Sequence, residues 1–407
     1  IFVNAQDKKE EKKFGIELSG FVKTDAFYDT RQTISIREGH FLLYPSPIVK
    51  DSVGLDQNAV NSFNILSIQS RLKLGIKVPD AFGAKISGTI EADFFGNENL
   101  SFSDVNGLRL RHAFCKMKWN KAELLAGQYW HPMFNPEVFP EVISFNTGAP
   151  FQPFTRNPQI RIGVNKGIVK IFATVLSQRD FQGTGPVGTS SSYLRNSGIP
   201  NLHFQTQISP DSTEHIFGAG VDYKVIKPEI LSTNPLSNNK YRTDVTLESL
   251  SALAFMKLKF RMLTFKLEGI YAQNAFDLTM LGGYAISEII DETRYFKKYT
   301  NLNTGSVWSE FLTNGKRVRY GLFVGYTKLL GATDSVKGQI YARGANIDNI
   351  FRISPRIVFV SGKLNIAIEE EYTSAAYGLQ NGDGKAEVTD SKPVSNFRTM
   401  LSLILNF

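Results

Sequence analysis

The sequence predicts an all-β fold: a transmembrane antiparallel β-barrel of about sixteen strands with one loop folded into its interior. Three observations carry this. Apolar and polar residues alternate with period two in segment after segment, the links between segments are by turns short and long, and the last segment is amphipathic and runs into Phe407. Composition is compatible with such a barrel. Only 42% of the 407 residues are hydrophobic, mean hydropathy is −0.16, and no apolar run approaches the roughly 18–20 residues of a membrane helix. Strands that face lipid with every second residue average to neutral hydropathy. The 31 Phe and 15 Tyr suit aromatic girdles at two interfaces.

The first residues read as an address. Ile1-Phe2-Val3-Asn4-Ala5 has the look of a secretory remnant, and Asp7–Lys13 follows as a solvated charge run, a flexible periplasmic lead-in. Residues 1–13 are therefore set apart from a single barrel over 14–407. In the first strand Ile16, Leu18, Gly20, Val22, Ala26 and Tyr28 oppose Glu17, Ser19, Lys23, Asp25 and Asp29, and period two puts the two sets on opposite faces. Leu66, Ile68, Leu72, Leu74, Ile76 and Val78 then oppose Gln69, Arg71, Lys73 and Lys77. Ile86, Ile90, Ala92 and Phe94 oppose Lys85, Ser87, Thr89, Glu91 and Asp93. Similar segments lie at about 108–119, 122–130, 158–165, 168–178, 201–209, 215–226, 249–259, 262–273, 306–313, 317–328, 350–360, 364–375 and 396–407.

Short links such as Asn165-Lys166-Gly167, Asn314-Gly315-Lys316 and Ser361-Gly362-Lys363 carry hairpin chemistry, because Gly accepts positive φ. Long polar links at about 31–63, 179–200, 227–248, 274–305, 329–349 and 376–395 alternate with them. Outer-membrane barrels keep short turns on the periplasmic side and long loops outside. One strand resists assignment: in 108–119, either a bulge near His112 brings Arg109 and Lys116 into the lumen, or Arg109 and Arg111 lie above the membrane or at a subunit contact. The lone Cys115 cannot form an intrachain disulfide and reads as a small buried or lipid-facing side chain.

The segment of about 131–157 is unlike the other links. Six of the sixteen prolines fall between Pro132 and Pro158, which forbids regular structure, yet the segment is rich in Phe and must bury it. The barrel interior is the economical place, with Glu137 and Glu141 then facing the lumen; an external cap or a subunit contact is the alternative. Parity puts Arg71, Lys73, Lys77, Lys170, Lys266, Arg317, Arg319, Arg352, Arg356 and Arg398 on the non-lipid face, with Arg156 on the loop's exit and Arg161 near mid-barrel. Glu91, Asp93, Glu268, Glu369 and Glu371 stand against them. Selectivity in channels comes from rings of charge at a constriction, so the larger positive set predicts anion preference, in competition with ion pairing across the lumen.

The full chain resembles the DcaP-like porins, in the version common in Bacteroidota. The matching stretches are Gly127-Gln128-Tyr129-Trp130-His131-Pro132, Phe145-Asn146-Thr147-Gly148-Ala149-Pro150-Phe151, Arg156-Asn157-Pro158-Gln159-Ile160-Arg161 and the Phe407 ending. The resemblance implies a sixteen-stranded homotrimer in a Gram-negative outer membrane, set among lipid and lipopolysaccharide, that passes small, often anionic, solutes. The segment Phe397–Phe407 resembles the signal read by the outer-membrane assembly machinery. The run Asp7–Lys13 is too short for the periplasmic coiled coil that some relatives carry.

Other readings are weaker. His40, His112, His131, His203 and His215 form no His-Glu-x-x-His pattern, and there is no Gly-x-Ser-x-Gly elbow, so neither an enzyme nor a cofactor is expected. Asn381-Gly382-Asp383-Gly384 lacks the terminal Glu of a calcium loop. The net charge of +8 does not indicate nucleic acid, because basic residues alternate along strands rather than clustering. A structural partner barrel of little conductance and a substrate-specific channel stay open as alternatives to a diffusion channel.

Overall fold

A computed structural model of the chain describes residues 14–96, 106–210, 214–380 and 384–407. The secretory remnant with its lead-in and most of the Asn381–Gly384 turn lie outside these residues. In chain order the barrel strands are β1 (Gly15–Asp29), β2 (Ser62–Leu66 continuing as Arg71–Ala81), β3 (Ala84–Asp93), β4 (Arg109–Lys118), β5 (Ala122–Trp130), β6 (Arg156–Lys166), β7 (Val169–Leu176) and β8 (Asn201–Ile208). They continue as β9 (Ile216–Ile226), β10 (Leu247–Lys259), β11 (Leu263–Gln273), β12 (Phe296–Thr313), β13 (Val318–Ala332), β14 (Ile347–Ser361), β15 (Leu364–Gln380) and β16 (Val388–Asn406). Each is antiparallel to the next, and β16 pairs with β1 to close a sixteen-stranded barrel.

Closure follows from the environment. In lipid every backbone N–H and C=O must find an internal partner, so a spanning sheet cannot have an edge. At the seam Asp25 lies opposite Ser402 and Ala26 opposite Leu401. Beyond the last paired residue, Phe407 N–H donates to the Gly20 carbonyl (3.1 Å) and Gly20 N–H donates back (3.3 Å). Phe397, Leu401, Leu403 and Leu405 face outward while Arg398, Met400 and Ser402 are buried within. Both described ends of the chain lie at the rim that carries the short turns, such as Phe82-Gly83, Gly167-Ile168 and Gly362-Lys363.

Strand 108–119 takes the bulged form. Glu91 of β3 pairs with His112 of β4 but Ala92 pairs with Leu110, so Arg111 is the extra residue. The bulge turns Arg109, Arg111 and His112 inward together, leaves Leu110 outward, and keeps Cys115 exposed on the outer surface. Strand pairing also continues further into the long-loop side than the alternation indicated. β12 begins at Phe296, and β15 and β16 pair up to Gln380 and Val388. Above the lipid neither face requires apolar residues, so the period-two signal fades while the hydrogen-bond ladder persists.

The apolar core sits inside the barrel, in the half toward the long loops. It joins Phe41 and Leu43 of the first long loop, Phe95 of the second, Met133, Phe134, Phe145, Phe151 and Phe154 of the third, and Leu278, Met280 and Leu281 of the sixth. The first loop spans 30–61, where the sequence predicts a polar link at about 31–63. Instead its hairpin, Thr33–Ile36 with Phe41–Pro45, drives a fully buried Phe-Leu-Leu-Tyr run inward.

Gly127 of β5 is required by close approach. Its φ is +133°, and a Cβ there would meet the Ala113 carbonyl oxygen at 2.2 Å and Phe114 Cα at 2.6 Å. Gly127→Val should cost at least about 3 kcal/mol from backbone strain and clash combined. The denaturant midpoint of the folded barrel in detergent measures it, and an unchanged midpoint would show that β4 and β5 can separate freely.

Candidate permeation path

The third loop, residues 131–155, leaves β5, crosses the lumen and is fastened to the opposite wall. A proline-rich loop cannot satisfy its own backbone, and buried backbone groups need partners. Here charged wall side chains supply them. Glu310 of β12 accepts the Glu141 N–H (2.8 Å), and Glu369 of β15 accepts those of Ile143 (2.8 Å) and Ser144 (3.0 Å). Lys23 of β1 donates to the Ile143 carbonyl (2.6 Å), Lys266 of β11 to that of Phe139 (2.9 Å), and Arg352 of β14 to that of Ala149 (2.8 Å). Gly325 of β13 leaves room for Phe151, whose ring a Cβ there would meet at 2.6 Å.

Several residues expected along the lumen are therefore committed to structure. Arg352 also binds the Leu43 carbonyl at 2.8 Å and lies 3.3 Å from Glu371. Arg356 pairs with Glu310 at 2.6 Å, and Arg398 pairs with Asp29 at 2.6 Å while reaching the Gly39 carbonyl. All three are buried, so they fasten the first and third loops and do not face open water. Glu141 pairs with Lys266 at 2.7 Å. Burial works to raise the Glu141 carboxyl, and the Lys266 ammonium outweighs it and holds it below the usual range.

A second cluster stacks arginines beside Trp130. Arg111 bridges Glu91 (2.7 Å) and Asp93 (2.9 Å), Arg109 pairs with Asp93 (2.8 Å), and Arg156 pairs with Asp180 (2.6 Å). Arg71 lies 3.5 Å from Glu91 and half-buried. Arg156 is fully buried over the Trp130 ring at 4.9 Å. Burial would raise the Asp180 carboxyl, but Arg156 and Arg109 prevail and keep it low.

Arg161 is placed differently. Its guanidinium donates to Gln159 Oε1 (3.0 Å) and the Trp130 carbonyl (3.3 Å) and sits between the rings of Tyr129 and Phe172. No carboxylate among the described residues pairs with it. It opens on a cavity of about 310 Å³ between the start of the third loop and the wall of β4–β8, where Lys116, Lys118 and Lys170 join it against Glu123 and Glu137. Lys116 is paired with Glu123 at 2.8 Å, and Glu137 accepts from Gln207 at 2.5 Å. A wider cavity of about 820 Å³ at the short-turn end holds Lys73, Lys77, Lys85, Lys116 and Lys118 against Glu17 and Asp80.

Arg317 and Arg319 stand apart from both cavities. They lie at the exposed turn between β12 and β13, where Arg319 donates to the Gly315 carbonyl at 3.1 Å. Lys118 was missed because the β4 bulge reverses the parity on which the inner face is counted. His40 Nε2 lies 2.7 Å from Asp25, but Ser402 hydrogen-bonds that same carboxylate and not the imidazole. Among the described residues no group of three or more His, Cys, Asp or Glu could hold a metal.

No protein-family model and no curated protein matches the chain. Solved structures do. The outer membrane channel DcaP of Acinetobacter baumannii superposes with a TM-score of 0.70 at 17% identity, over 98% of this chain and 99% of that one. The trimer form of OmpT, an outer membrane protein of Vibrio cholerae, gives 0.57 at 9% identity over 97% and 99%. An anion-selective porin from Comamonas acidovorans gives 0.55 at 10% identity over 97% and 100%. At these identities the likeness is one of fold: the chain shares the sixteen-stranded barrel fold of these proteins.

Arg352→Ala should lower stability by about 3–5 kcal/mol, because it leaves Glu371 and two loop carbonyls buried without their cation. A denaturation series in micelles reads this. A loss under about 1 kcal/mol would mean that the third loop does not depend on this anchor.

Proposed function

We propose that the chain is an outer-membrane porin of the Bacteroidota DcaP-like type, a water-filled channel for passive diffusion of small hydrophilic solutes with a preference for anions. The third loop is its constriction. The observation that carries the reading is the unpaired Arg161 in a cavity whose four cations face two carboxylates, one of them already paired. A low-dielectric wall focuses the field of unneutralised charge onto the water it encloses. The DcaP, OmpT and Comamonas barrels support porin architecture, and the OmpT trimer supports a homotrimer here. The short-turn end, with both described ends of the chain, is the periplasmic one. Phe407 then serves recognition by the assembly machinery, and lipid and lipopolysaccharide meet the outer surface. The protein performs no catalysis.

A second reading rests on one observation. The first, third and sixth loops pack a continuous apolar core inside the long-loop half, as a partner barrel of little conductance would. Stepwise conductance of the purified protein in planar bilayers separates the two, and its absence would favour the partner barrel.

The reversal potential across a KCl gradient should show chloride favoured over potassium, and Arg161→Glu should shift it by at least ten millivolts toward potassium, an order-of-magnitude expectation for reversing one charge at a constriction. Cation preference in the unmodified protein would sink the anion assignment. An unmoved potential in the variant would remove Arg161 from the path.

A further inference from the structure

The lysines of the short-turn cavity are arranged by strand register. Lys85 of β3 and Lys118 of β4 are direct cross-strand partners, and one strand pair further up the wall Ser87 lies opposite both Lys77 of β2 and Lys116 of β4. Like charges directly opposite each other destabilise a strand pair. The usual remedy is absent: among the described residues only Lys116 of this group has a carboxylate partner, Glu123. Lys73, Lys77, Lys85 and Lys118 line the cavity of about 820 Å³, whose lining holds two acids, Glu17 and Asp80; in register Glu91 lies opposite Lys73 and Glu123 opposite Lys118, without an ion pair to either lysine.

We propose that this vestibule is a binding station for multivalent oxyanions of the phosphate class. Neighbouring strands lie about 4.8 Å apart, so ammonium groups from β2, β3 and β4 can converge on the oxygens of one phosphate or of two linked phosphates. Each ammonium brings three donors and no acceptor. A lysine recognises phosphate as a compact point charge, whereas the planar fork of arginine suits paired carboxylate oxygens. The arginines of this barrel are mostly locked in buried pairs, whereas Lys73, Lys77, Lys85 and Lys118 are exposed in this cavity and have no ion-pair partner among the described residues. Ser19 and Ser87, between the lysines, add hydroxyl donors. A monovalent anion neutralises one lysine at a time; a di- or trivalent one bridges the Lys85–Lys118 pair and relieves its repulsion. The parity of the strands places the station in the lumen, away from lipid headgroups.

The inference deepens the anion-path reading and rests on it, but it is tested separately. Purified protein in planar bilayers is exposed to sodium tripolyphosphate, inorganic phosphate or acetate, added to each side in turn. Chloride current should fall with tripolyphosphate at a concentration at least tenfold lower than with acetate, more readily from one side. Lys85→Gln with Lys118→Gln should raise the half-blocking concentration at least tenfold. Lys85→Glu should do the same while raising the melting temperature, since it sets a carboxylate opposite Lys118 and converts the like-charge pair into an opposite-charge one. It therefore guards against a variant that merely misfolds. Tripolyphosphate should also raise the Tm of the unmodified protein and not that of Lys85→Glu. Equal block by tripolyphosphate and acetate, or a block indifferent to both variants, overturns the station. Cation preference without any blocker overturns the path reading instead.

Discussion

The backbone of the third loop decides what the interior of this barrel can be. Sixteen strands enclose far more space than their own side chains fill, and a proline-interrupted segment placed there has no ladder of its own. Its N–H and C=O groups are taken up by Glu310, Glu369, Lys23, Lys266 and Arg352, which reach in from five different strands. Charged partners make stronger hydrogen bonds than neutral ones, and each carboxylate also meets a cation or a second N–H. The phenylalanines of the loop can then pack against one another and against Trp308 and Phe323 of the wall. Without those anchors the loop would be an apolar segment loose in water.

The same anchoring divides the charges into two populations. Those that anchor the loops, Lys266, Glu310, Arg352, Arg356, Glu371 and Arg398, are buried and paired at short range, so their fields cancel within a few ångströms. Those on β2–β4 and β6–β7 near the short-turn end remain solvated, and most lack partners. A count of basic residues on the inner face would have weighted both populations equally. The net field inside the lumen depends on the second alone, because an ion pair inside packed protein contributes little to it.

The sequence carried the barrel clearly. Leu72, Leu74 and Ile76 against Arg71, Lys73 and Lys77 needed only parity, and the Phe397–Phe407 strand marked the seam. The loop at 131–157 was legible because five prolines and five phenylalanines in one stretch cannot sit in water. The partners of that loop were not legible. Nothing local distinguishes Arg352, whose guanidinium ends on the Ala149 and Leu43 carbonyls, from Lys73, which ends in solvent. Contacts made across the lumen join residues some two hundred positions apart. The inward run Phe41–Tyr44 was hidden for a similar reason: four apolar residues between polar flanks are too short to show period or burial. The β4 bulge was visible as a conflict of parity, but choosing its resolution required the register with β3.

The bulge has an electrostatic consequence that ties the two populations together. By turning both Arg109 and Arg111 inward, it sets four arginines, with Arg71 and Arg156, against three carboxylates, Glu91, Asp93 and Asp180. One positive charge is left over in that cluster. Arg71 is the most loosely held member, at 3.5 Å from Glu91, and it stands two residues from Lys73 on the same face of β2. The excess therefore lies on the side of the solvated lysines and not on that of the apolar core. A regular β4 with Lys116 and Lys118 inside would have sent both arginines outward into lipid, where a charge at mid-bilayer costs roughly 2–4 kcal/mol each, and would have left Arg71 and Arg156 alone against three carboxylates. The irregularity that removes this cost also extends positive potential along β2 from the Trp130 stack to the vestibule.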